Sequence, residues 1–188
     1  MKYIAEAIAA LKPGAEWSLN GDNYSGLTWL DTKQTQPTEE EINVKVVELQ
    51  YQEEVNVYQE KRKSEYPDWG DQLDKIYHSG IDAWKADIKK IKDKYPKQTM
   101  DATELQKRKD AAIFKLQKRD YEKAVARLAQ YELSAGLTDK DGKHIIMPIA
   151  VEINGERNPL VVQDETERAA AQEVINNTPQ AVIESVSS

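Results

Sequence analysis

The stretch Glu65–Lys97, EYPDWGDQLDKIYHSGIDAWKADIKKIKDKYPK, decides how this chain is read. Tyr66-Pro67 stands at its start and Tyr95-Pro96 at its end. A residue before proline is pushed out of the helical region, so each pair punctuates a helix boundary. Asp68 is a good N-cap. Between these marks Tyr77, Ile81, Trp84, Ile88, Ile91 and Tyr95 step by 4, 3, 4, 3 and 4, which is heptad spacing over almost three repeats. The spacing predicts a helix over 68–95 carrying one apolar seam. Gly80 interrupts that helix at a cost of about 1 kcal/mol against alanine, and it lets another backbone approach closely.

Long helices are predicted on both sides. Pro37 precedes Thr38, an N-cap, and Glu41 stands three residues on, where a capping box needs it. Three glutamates in the first turn suit the helix dipole. This helix is expected over 38–65, with Val44, Val47, Tyr51, Val55 and Tyr58 on one stripe and Ile42, Val46, Leu49 and Val57 on the next. A third helix is expected over 101–135, capped by Asp101 or Thr103 and stopped at Gly136. Its seam runs through Phe114, Gln117, Tyr121, Ala124, Leu128, Tyr131 and Ala135. A helix of about 50 Å needs a partner along its length.

The ends of the chain read differently. Ile4, Ile8 and Leu11 share one face of a short helix that Pro13-Gly14 stops. Asn20-Gly21 then lies between Trp17/Leu19 and Tyr24/Leu27/Trp29, the pattern of a small β-hairpin. The two tryptophans are read as the apolar plug of that fold in preference to a carbohydrate-stacking pair. After Gly136, His144–Ile153 is strand-like, Asn154-Gly155 is a hairpin signal, and Leu160-Val161-Val162 is the expected returning strand. Asp164–Asn176 reads as a helix, and Ala181-Val182-Ile183 as a last strand or docking tail. The fold class is therefore mainly α: an elongated long-helix hairpin or coiled-coil bundle with a small N-terminal hairpin and a C-terminal β+α appendage. The expected divisions are 1–37, 38–136 and 137–188.

Composition supports that class. Only 39% of the 188 residues are hydrophobic, 31% are charged and one is phenylalanine, which is lean for a compact globule and normal for helices that bury one stripe each. The net charge of −7 hides a basic middle: residues 85–127 hold fourteen bases and seven acids. Because these bases alternate with acids and no stacking or basic-arm motif accompanies them, a solvated or partner-facing helix is preferred over nucleic-acid binding. There is no cysteine, so disulfides and thiolate metal sites are excluded. No apolar run approaches the roughly 20 residues of a membrane span. Glu6 breaks the apolar stretch of MKYIAEAIAALKPG, which argues against a signal peptide.

Candidate chemistry is thin. Asp71, Asp74 and His78 share one face, but no second set of ligands matches them, so they are read as capping charges and a packing histidine. His144 is isolated in a strand. Asp139-Lys140-Asp141-Gly142 opens like a calcium loop, yet the sixth position is His144 and the twelfth Ala150, where glycine and glutamate are needed. No phosphate-binding, nucleophile-elbow or metalloprotease motif occurs. The chain is read as having no catalytic residues, no cofactor and no bound metal.

The same stretch resembles a segment that recurs in virion and tail-fibre-associated structural proteins of tailed bacteriophages, including those of marine cyanobacteria. The residues that carry the resemblance are Tyr66-Pro67, Gln72-Leu73-Asp74, Tyr77-His78, Trp84 and Tyr95-Pro96. Upstream, WSLNGDNYSGLTWLD (Trp17–Asp31) and PTEEEI (Pro37–Ile42) resemble the opening of such proteins, so the likeness covers about residues 15–97. It implies a tail, tail-fibre or fibre-attachment component of the virion, present in the host cytoplasm during assembly. Such a component would associate with itself, commonly as a trimer, and dock other virion proteins; contact with the host surface is a further implication. A soluble tail assembly chaperone is the second expectation. The seam expected to carry assembly is Tyr77, Ile81, Trp84, Ile88, Ile91 and Tyr95, with Phe114, Tyr121, Leu128 and Tyr131 on the next helix.

Overall fold

A computed structural model describes residues 3–134, 137–138, 144–146, 152–153, 156–157 and 159–187, with side-chain surroundings over 3–129 and 165–187. The chain is mainly helical. It forms two compact units, residues 1–112 and 113–188. The division differs from the expected 37 and 136 boundaries for physical reasons. The N-terminal elements bury their apolar residues against the second helix, and the third long helix is shared between the units.

In the first unit, α1 (Tyr3–Leu11) buries Ala7 and Ile8 against Ile42 of α2 (Glu39–Glu65). The hairpin of β1 (Trp17–Leu19) and β2 (Leu27–Trp29) closes over this core, with Trp17 opposite Trp29 and Leu19 opposite Leu27. Both tryptophans pack on the core, as the plug reading expects, and the Trp29 indole donates to the Gln34 carbonyl at 2.9 Å. A single 3-10 turn, Tyr24–Gly26, leads into β2. Gly26 is obligatory there, because a Cβ at this position would lie 1.8 Å from the Asn20 carbonyl oxygen. The predicted capping box is present: the Thr38 hydroxyl accepts from the Glu41 amide at 3.1 Å and the Glu41 carboxylate accepts from the Thr38 amide at 2.8 Å.

The stretch quoted first folds differently from its seam. α3 (Trp69–Lys94) is broken at Gly80, whose φ of 81° and ψ of 164° belong to the region open essentially to glycine alone. A straight 26-residue helix would put its ends about 39 Å apart. Instead Glu65, at the end of α2, meets Lys94 and Tyr95. Lys75 reaches Asp87 at 3.2 Å, and the Trp84 indole donates to Gln72 at 3.1 Å. Residues 69–79 and 81–94 are therefore the two arms of a helical hairpin with Gly80 at its tip. The continuous heptad seam is overturned on this point: Tyr77 sits on the outgoing arm, and Ile81, Trp84, Ile88, Ile91 and Tyr95 on the returning one. The expected cost of Gly80 was that of a flaw in a helix, whereas the residue supplies a turn.

α4 (Ala102–Ser134) starts at Asp101, whose carboxylate accepts from the Glu104 amide at 2.8 Å. Its first turns lie on α2. The Asp101 amide donates to the hydroxyl of buried Tyr51, and the Arg108 guanidinium stacks 4.3 Å from the Tyr51 ring while pairing with Glu54 and Glu104. Glu54 first, then Glu104, hold that guanidinium still further above its ordinary value.

In the second unit, α5 (Pro159–Asn177) runs antiparallel to the later part of α4. Arg127 pairs with Glu167, whereas the earlier Asp120 shares a groove with the later Val174. Ala124 and Ala171 are both buried and line one groove, since small side chains let two helices approach. Two short antiparallel pairs, β3 (Leu137–Thr138) with β4 (His144–Ile146) and β5 (Glu152–Ile153) with β6 (Glu156–Arg157), belong to this unit. The latter pair flanks Asn154-Gly155, as the hairpin signal predicts. Leu160-Val161-Val162 is helix and not a returning strand, because Pro159 fits the first position of a helix and starts α5. Ala181-Val182-Ile183 is likewise helical, in α6 (Gln180–Ser187), where Val182 is almost fully buried and the Ser185 carbonyl accepts from Lys118 at 3.1 Å. Gly136 and the candidate calcium loop lie outside the described residues.

Two outcomes follow from this packing. Replacing Ile8 by alanine is expected to cost about 2–5 kcal/mol, the price of a methyl-lined cavity in a closed core, as read by urea denaturation. Gly80→Ala is expected to lower stability by about 1–3 kcal/mol, because alanine must occupy the tip's backbone conformation. Unchanged or raised stability with Glu65 still beside Lys94 would show that the tip is not strained for a side chain.

Candidate functional site

No side chain of α3 is buried. The apolar content of its outgoing arm is instead turned to solvent. Trp69 is 77% exposed, Leu73 60%, Tyr77 84%, and Ile81 beside the tip 52%. At 3.6 residues per turn the first three form one stripe. Gln72 and Ile76, the half-buried neighbours of that stripe, lie on the side of the returning arm, as the Gln72–Trp84 bond shows. Asp74 borders the stripe on its other side.

Charge follows the arms. From Asp68 to Ser79 there are three carboxylates and one lysine; from Ile81 to Lys97 there are six lysines and three carboxylates. The returning arm has a shallow groove of about 330 Å³, lined by Trp84 and Ile88 with Lys85, Lys89, Lys92 and Asp93 around them. The hairpin thus presents an apolar face with an acidic edge on one arm and a lysine edge on the other.

The base of the hairpin is tied to α2. Arg62 donates to the carbonyls of Tyr95 at 2.8 Å and Lys92 at 3.1 Å, satisfying the open end of the returning arm, and its guanidinium lies 4.8 Å from the Tyr58 ring. Glu65 accepts from Lys94 and from the Tyr95 hydroxyl, and these two bonds, the lysine's first, hold its carboxyl below the ordinary 4.5. Asp87 is held below 3.8 by Lys90 and then Lys75.

The other candidate residues are placed as follows. Trp84, Ile88, Ile91 and Tyr95 are half-buried on the returning arm. On α4, Phe114 is 38% exposed, Tyr121 and Leu128 are half-buried, and Tyr131 lies within the helix with its side chain outside the described residues. His78 sits 3.3 Å from Asp74 with both exposed. Among the described residues there is no group of three or more side chains able to hold a metal ion, and no helix is long and apolar enough to cross a membrane. Trp69 and Leu73 were missed as surface residues. Their four-residue spacing to Tyr77 was visible, but a seam stepping 4-3-4 starts at Tyr77 and passes over them.

Comparison with known protein families, with characterised proteins and with solved structures finds no match.

The pH dependence of the hairpin has a definite sign. Both carboxyls have folded values below their unfolded ones, so their contribution is fully present above about 4.5 and is lost as the pH falls through the lowered values. Acid titration followed by helical circular dichroism is expected to show loss on that side. Glu65→Gln with Asp87→Asn is expected to flatten it, and added salt to weaken it, since the groups are exposed. An acid limb unchanged in the double variant would remove these pairs from the account.

Proposed function

We propose that this chain is a structural component of a tailed-bacteriophage virion, a tail, tail-fibre or fibre-attachment protein without catalytic activity. It associates with copies of itself through helical seams in a coiled-coil-like bundle and docks a second virion protein. The observation that carries this reading is the uncovered face of the α3 hairpin. Contiguous aromatic and aliphatic surface of this kind is rare on a free-standing monomer and marks a contact surface. The resemblance of residues 15–97 to phage tail-associated proteins supplies the setting. In this reading Trp84, Ile88, Ile91 and Tyr95, with Phe114, Tyr121, Leu128 and Tyr131 on α4, contribute to seams between copies, and three is the copy number the resemblance implies. The protein acts in the virion tail after a stage in the host cytoplasm.

A soluble tail assembly chaperone is the second reading, because an exposed apolar face also suits a factor that holds another protein transiently. Mass spectrometry of purified particles separates the two. Stoichiometric presence in the particle is expected for the structural component. Presence in infected-cell lysate with absence from particles sinks that role and leaves the chaperone.

A further inference from the structure

The α3 hairpin carries more than an uncovered face; it carries instructions for what covers it. Trp69 and Tyr77 alone hold on the order of 300–400 Å² of side-chain surface. With Leu73, Ile81 and the Trp84–Ile88 groove, two such faces together approach the roughly 1,000 Å² at which specific interfaces begin. The arms are antiparallel, so the stripe on the outgoing arm and the groove on the returning arm face the same way. Asp74 then borders one long edge, and Lys85, Lys89 and Lys92, with Asp93 beside them, border the other.

We propose that the occupant of this face is the same face of another copy of the chain, packed so that the acidic edge of one hairpin lies on the lysine edge of the next. Two geometries bring identical hairpins face to face. A two-fold axis across the arms sets outgoing arm on outgoing arm, acid against acid and lysine against lysine. An axis along the hairpins sets outgoing arm on returning arm, and every edge meets its opposite charge. Like charges brought together at an interface are costly, so charge selects the second geometry. Two copies make an antiparallel four-helix bundle with both Gly80 tips at one end. Trp69, Leu73 and Tyr77 of each copy lie over Trp84 and Ile88 of the other. This deepens the assembly reading above by naming what covers the face, sets two copies for the isolated chain in place of the three that the resemblance implies, and rests on that reading only for its biological use.

Sedimentation of the full chain is expected to show a concentration-dependent dimer. Tyr77→Asp, at a side chain exposed in the single chain, is expected to weaken the dimer about tenfold or more, as loss of a central aromatic anchor does. Asp74→Lys makes both edges basic, and Lys85→Glu with Lys89→Glu and Lys92→Glu makes both acidic. Each variant alone is expected to stay monomeric, and an equimolar mixture to regain a one-to-one pair. The chain has no cysteine, so Ser79→Cys beside the tip offers a single cross-linking site. A bismaleimide reagent spanning on the order of 10–15 Å is expected to join two copies there, since both tips lie at one end and the two outgoing arms are diagonal in a bundle whose neighbouring axes lie about 8–10 Å apart. A chain that stays monomeric at all concentrations, a mixture that fails to pair while each variant remains folded by circular dichroism, or a dimer without tip cross-linking would each overturn the proposal. Detection in virions would be untouched by any of these results.

Discussion

The structure of the first unit depends on one backbone position. Gly80 takes a conformation that a side chain makes costly, and this turns what would be one long helix back on itself. The return brings Tyr95 to the end of α2, where Arg62 closes the carbonyl end of the returning arm and Glu65 pairs with Lys94. Without the turn, none of these bonds between residues about thirty apart in sequence can form. With it, α4 begins near α2, and the Tyr51–Arg108 stack fixes the next crossing.

The fold-back also decides what stays uncovered. Each arm has one apolar stripe, and a two-helix hairpin without a third layer cannot close over both. The core of the unit lies elsewhere, around Ala7, Ile8 and Ile42, where α1 and the tryptophan hairpin cover α2. The base of the α3 hairpin is tied to α2 through Arg62 and Glu65, which bond to Lys92, Lys94 and Tyr95. Apolar surface left in this way is costly to hydrate, at about 25 cal/mol per Å².

The charge pattern acquires a meaning from the same turn. Along the sequence, Asp74 and the lysines near Lys89 merely belong to successive segments. Once the chain folds at Gly80 they become the two edges of one face. In the proposed pair, another copy turned about the hairpin axis supplies the opposite sequence of edges.

Much of the architecture was legible in the residues. Thr38 with Glu41 announced the start of α2, Asp68 the start of α3, Asp101 or Thr103 that of α4, and Tyr66-Pro67 and Tyr95-Pro96 the breaks, because capping and proline effects act over three or four residues. The Trp17–Trp29 hairpin followed from Asn20-Gly21 and alternating apolar residues for the same reason. Where short-range signals competed, the reading failed: Leu160-Val161-Val162 look like a strand, yet Pro159 starts a helix there. The 4-3-4 spacing from Tyr77 to Tyr95 was real but could not say whether the helix continues through Gly80, since periodicity is blind to a single residue's backbone angle. The sequence by itself thus determined helices α1 to α4 as elements, the caps of the long ones and their apolar stripes, all set by local chemistry, but not α6 or the start of α5. Only the tertiary structure decided that α3 is a hairpin with its face uncovered, because that choice is made by contacts of Arg62 and Glu65 with residues about thirty positions away.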